Sequence, residues 1–143
     1  MQEIILKWFG PYDLERIQLY DLAFDKGIYM ISRIWGEKET LLYIGRTKRE
    51  FQKRLKEHDV WIKQYRGQIK IRLGLIMLHP DTKFSEKLLA DVEALLIILN
   101  KTVENTSNTS TYSGRALTIN NTGRRGLLDK RITSNSDLLE DIN

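Results

Sequence analysis

Residues 41–58 read LLYIGRTKREFQKRLKEH, and the reading of this stretch decides the rest of the chain. Leu41 to Ile44 is a short apolar, β-prone run that Gly45 breaks. Thr47, followed three residues later by Glu50, has the spacing of a capping box and opens a helix expected over 47–66. At about 100° per residue, Phe51, Leu55, Ile62 and Tyr65 share one face of that helix, with His58 inside the stripe and Arg54 at its edge. A strand, a glycine turn and a basic helix thus hold a phenol, an arginine and an imidazole within one unit. Taken alone, His58 reads as a satisfied core histidine and the basic edge as a solvated face.

Upstream, Lys26 to Ile34 reads as a strand ended by a turn centred on Gly36, with Thr40 to Ile44 as its hairpin partner. Tyr29 and Tyr43 then sit on neighbouring antiparallel strands, so that two phenols approach one cleft. Downstream, Gly67 is a candidate helix C-cap, and Ile69, Ile71, Leu73 and Leu75 alternate with Lys70, Arg72 and Gly74 as a third strand with one buried face. His79-Pro80-Asp81 is a turn with His79 at the surface. Ser85 is placed to cap a second helix running to about Leu99, with Phe84 and Leu89 as a hydrophobic staple. Leu89, Val92, Leu96 and Ile97 surround Glu93 on that helix, where an uncompensated charge is costly. An ion pair with an arginine such as Arg54, a protonated carboxyl or a divalent cation each answers the need. Asp91 is expected to point outward.

Gly27-Ile28-Tyr29, Tyr43-Ile44-Gly45, Thr47, Arg54, His58, Glu93 and Asn105 occur in the order and with the spacing of the GIY-YIG nuclease family, which residues 27–105 resemble. The chain departs from the pattern at Thr102-Val103-Glu104, where many members carry prolines. The resemblance implies an α+β fold (an α/β sandwich) in which a small, mainly antiparallel three-stranded sheet is flanked by helices. It also implies a DNA endonuclease whose catalytic residues are Tyr29, Tyr43, Arg54, His58, Glu93 and Asn105. Tyr29 is the expected general base, with Tyr43 and His58 supporting it by hydrogen bonding or proton relay. His58 as direct base is the local alternative, since its ordinary pKa of about 6.5 suits the task. With Glu93 the one convincing carboxylate, a single Mg²⁺ or Mn²⁺ is the expected cofactor. Arg54 would clamp a non-bridging phosphate oxygen with its fixed fork of donors. A non-catalytic nucleic-acid-binding or regulatory module on the same scaffold is the competing function.

The rest of the chain bounds these readings. Its 143 residues suit one domain: an N-terminal extension over 1–26, a core over 27–105 and a polar and basic extension over 106–143. The first part holds a strand or extended arm from Glu3 to Phe9, and disorder is expected after about Ile132. With no cysteine and only two histidines, disulfides and a zinc site of the usual ligands are excluded. No signal-peptide pattern or apolar run of membrane-spanning length is present, so a soluble, intracellular (cytoplasmic) protein is expected. The net charge of +4 is unevenly spread: residues 46–72 hold ten Lys or Arg against three acids, a local excess of seven. That patch points to phosphate, with Arg46, Lys48, Arg49 and Lys53 as expected contacts. The glycine-rich basic turn carrying Arg124 and Arg125 extends the same expectation toward DNA.

Overall fold

Ile4, Leu6 and Trp8 are buried at alternate positions of β1 (Gln2–Asp13), which places this stretch within the sheet. It pairs antiparallel with β4 (Gln68–Met77) on one side and parallel with β5 (Leu117–Gly123) on the other. The hairpin of β2 (Gly27–Trp35) and β3 (Lys38–Arg46) adds to the far edge of β4, and the short β6 (Arg131–Thr133) closes the opposite edge. The order across the sheet is β3-β2-β4-β1-β5-β6. This computed structural model describes residues 1–14, 27–46, 51–106 and 109–135, and the side chains of 51–56 lie outside that description.

The sheet corrects the expected architecture. The three predicted strands are present, but they form half of a mixed, six-stranded, curled half-barrel, not a three-stranded antiparallel sheet flanked by helices. Among the described residues strand accounts for 45% and helix for 19%, which makes this mainly a sheet structure. Of the added strands, β1 comes from a segment read as a strand or extended arm, and β5 and β6 from one read as a polar tail. In β5 the Asn120-Asn121-Thr122 run resembles a turn, yet Leu117, Ile119 and Asn121 alternate inward. Asn121 tolerates burial because its amide oxygen accepts from Trp8 Nε1 at 2.9 Å while its amide nitrogen donates to the Asp129 carbonyl at 2.9 Å. The Trp8 indole in turn lies over Gly74, its partner across the ladder, where a Cβ would come within 3.1 Å of the ring.

Two helices complete the described fold. α1 (Phe51–Ile62) packs Ile62 with Tyr29, Ile31, Leu42, Ile71 and Leu73 on one face of the sheet. α2 (Glu86–Leu99) buries Leu88, Leu89, Val92, Leu95 and Leu96 against Ile4, Leu6, Ile28, Met30 and Ile44 on the other. Ser85 caps α2 as expected, its hydroxyl accepting from the Leu88 amide at 3.0 Å. Gly67 lies five residues beyond the end of α1, so it is not that helix's C-cap. The expected capping box at Thr47 and Glu50 lies outside the described residues, as do Lys48 and Arg49. Among the described residues, no helix is long and apolar enough to cross a membrane.

Candidate functional site

The last residues of β3 gather side chains from both faces of the sheet. Tyr29 stands opposite Gly45 across the β2–β3 ladder and is fully buried, its phenol end filling the place a Cβ on the glycine would take. His58 descends from α1 with Nε2 2.9 Å from the Tyr29 hydroxyl. The ring of Tyr43, the direct partner of Ile31 across the ladder, stacks near Tyr29 at 5.9 Å and lies 4.4 Å from the imidazole. One helical turn after His58, Trp61 donates its indole N–H to His58 Nδ1 at 3.2 Å. Tyr29, Tyr43 and His58 therefore meet as expected, and Trp61 is a fourth member that the sequence reading missed. Its signal was an indole three residues from an imidazole on one helix.

Gly45 does not end the strand; β3 runs through it to Arg46. The residue after the glycine turns to the opposite face, where Arg46 Nε lies 3.3 Å from Glu93 Oε1 on α2. Glu93 is thus compensated by Arg46, an arginine expected on phosphate, whereas the side chain of Arg54, its expected partner, lies outside the described residues together with that of Lys53. The pair is 27% and 15% exposed, so the carboxylate is neither sealed in the core nor out in solvent. The tyrosine–histidine group and Glu93 sit in different layers and share the end of β3.

Asn105 joins this strand end from outside the sheet. Its Oδ1 accepts from the Ile44 amide and its Nδ2 donates to the Ile44 carbonyl, both at 2.9 Å, which is the pairing a neighbouring strand would make. The Glu104 amide adds a bond to the Leu42 carbonyl at 2.8 Å, so this segment covers the open edge of β3. Tyr65 donates to Glu104 and anchors the strap from the α1 side. Burial, followed by that carboxylate, pushes the Tyr65 phenol up to about 12.

No family model matches this chain, and neither does any curated protein or solved structure.

Asp91, expected to face outward, is 2% exposed. It accepts from Lys87 Nζ at 2.7 Å and from Arg115 Nε at 2.8 Å, tying α2 to the segment that leads into β5. Burial works against its charge, but the bonds from Lys87 and Arg115 outweigh it and hold the carboxyl below its ordinary range. The helix periodicity misplaced Asp91 because the 112–115 segment, which covers that side of α2, falls within the polar and basic extension read over 106–143 and gave no sign of packing there. Arg124 is exposed beyond β5, and Arg125 lines an open cleft of about 520 Å³ with Lys130, Asn120 and Thr122. Among the described residues no group of three or more Asp, Glu or His could jointly hold a metal ion. The carboxylate at this strand end, Glu93, is engaged by Arg46.

Proposed function

We propose that the chain is a metal-dependent endonuclease that hydrolyses DNA phosphodiesters, in the manner the GIY-YIG resemblance implies. The observation that carries this reading is that Tyr29, Tyr43 and His58 on one face of the sheet and Glu93 on the other meet the last four residues of β3, 43–46, a strand end held in place by Asn105. In this reaction the oxygen of water bonds to phosphorus, the bond to the 3′ oxygen breaks, and water's proton passes to Tyr29. The departing oxygen takes its proton from solvent. A bond from His58 to the phenol oxygen favours the charged form that a base requires. Since Tyr29 is fully buried in the free chain, DNA binding must open the cover over its hydroxyl. Arg54 would hold a phosphate oxygen. A Mg²⁺ or Mn²⁺ on Glu93 would neutralise charge on the phosphate and the leaving oxygen.

Supercoiled, linear, single-stranded and branched DNA, each incubated with Mg²⁺ or with chelator, tests the proposal. Cleavage with the metal and none with chelator is the expected result. Glu93→Ala should abolish cleavage while gel-shift binding survives, because binding rests on the basic patch. Retention of Mg²⁺-dependent cleavage by Glu93→Ala removes Glu93 from the mechanism, and no cleavage of any substrate by the wild type ends the nuclease reading. The burial of Tyr29 and the engagement of Glu93 by Arg46 favour a second reading, a nucleic-acid-binding module without catalysis. Tight DNA binding with no cleavage is its signature.

A further inference from the structure

We infer that Trp61 fixes the tautomer of His58, holding the ring neutral with its proton on Nε2 and directing that N–H at the Tyr29 hydroxyl oxygen. An indole N–H can only donate, so the ring nitrogen that receives it must present a lone pair. Trp61 Nε1 meets His58 Nδ1 at 3.2 Å, which makes Nδ1 the acceptor. The single proton of the neutral ring therefore sits on Nε2, 2.9 Å from the Tyr29 oxygen, and the Tyr29–His58 bond runs from nitrogen to oxygen.

Packing preserves this direction. The imidazole is held between the Tyr43 ring at 4.4 Å and the Trp61 ring at 5.4 Å, and Trp61 is itself braced edge-on by Tyr65 at 6.1 Å. Protonation of Nδ1 would set two N–H groups against each other, so the site resists an imidazolium. In this arrangement neither nitrogen can take a proton from water or bind a metal: Nδ1 is occupied and Nε2 already carries hydrogen. His58 becomes a donor that serves the phenol, and Trp61 becomes a positioning residue acting through it. The catalytic consequence rests on the nuclease reading; the tautomer does not.

Long-range ¹H–¹⁵N correlation of the ¹⁵N-labelled full chain at neutral pH reads the protonation of each ring nitrogen directly, with His79, at 71% side-chain exposure, as the internal reference. The expected spectrum shows His58 with an unprotonated Nδ1 and a protonated Nε2. Trp61→Phe keeps an aromatic ring against Tyr43 but removes the donor, and should bring in the Nδ1–H tautomer. Tyr29→Phe should leave the wild-type tautomer in place. A wild-type His58 carrying its proton on Nδ1, or a Trp61→Phe spectrum identical to wild type, overturns the inference, and the wild-type spectrum decides even if the variant does not fold. If DNA is cleaved, Trp61→Phe should slow single-turnover cleavage by about three- to tenfold, the worth of one neutral hydrogen bond. An Nε2–H spectrum without cleavage refutes the nuclease reading alone, and cleavage with an Nδ1–H spectrum refutes the tautomer alone.

Discussion

Gly45 is the seat of Tyr29: the two residues face each other across the β2–β3 ladder, and a Cβ built on the glycine would stand 2.5 Å from the Tyr29 hydroxyl oxygen. Contacts that short do not persist, so the fully buried ring would have to leave its place. Gly45→Ala should therefore expel the phenol, break its bond to His58 and destabilise the chain by about 1–3 kcal/mol. In a Tyr29→Ala background the same substitution should cost far less, because the space is already empty. Denaturant melts of the four proteins in a double-mutant cycle measure the coupling, and additive effects would disprove the seat.

Asn105 acts as a one-residue strand against Ile44. Asn105→Asp keeps the size and the acceptor but sets a carboxylate oxygen against the Ile44 carbonyl, with an expected loss of about 1–3 kcal/mol. Hydrogen exchange at the Ile44 amide locates the effect. Protection there should fall in Asn105→Ala while the Met30 amide, on the neighbouring strand, stays protected.

Asp91 predicts an acid-sensitive clasp. Its carboxyl is depressed in the folded chain, so the stability it contributes is fully present above the ordinary carboxyl value of about 3.9 and is lost as pH falls through the lower, folded value. Thermal melts of wild type and Asp91→Asn should differ most at neutral pH and converge in strong acid. A difference that stays constant across that range would exclude ionised Asp91 as the source.

The proton transfer assigned to Tyr29 predicts that Tyr29→Phe, which keeps the ring and loses the hydroxyl, lowers single-turnover cleavage by about a hundredfold or more. His58→Ala should lower it less. The reverse ranking would make His58 the base and would contradict its role as a donor.

Arg46→Gln tests the ion pair at the end of β3. With both partners partly exposed, the pair should be worth no more than about 1 kcal/mol of stability. A larger loss on melting would show that Arg46 also supports the strand end through contacts beyond Glu93.

The tyrosine hairpin, the third strand and the Ser85-capped helix were legible because each repeats one period over enough residues to outweigh local noise. β5 was not, since its asparagines carry the composition of a turn and only the distant Trp8 indole makes Asn121 acceptable in the core. β1 was half-legible: Ile4, Leu6 and Trp8 alternate, but an interior position depends on neighbours more than 60 residues away. At the site, residue types pointed to Tyr29, Tyr43 and His58. Trp61 and the Glu93–Arg46 pairing depended on rotamers and helix placement, on which a string of letters is silent.

The pairing of β1 carries a consequence for the order in which the molecule comes together. Gln2 lies beside Leu117, and Ile5 lies beside Met77, so an interior strand near the beginning of the chain finds both its partners late. On the ribosome the β2–β3 hairpin can close within a few tens of residues, whereas β1 must remain unpaired until β4 and then β5 have emerged. Closure across such separations carries the loop entropy that slows sheets of high contact order. During that interval Ile4, Leu6 and Trp8 form an exposed apolar strand, the part of the nascent chain most prone to pair with another copy.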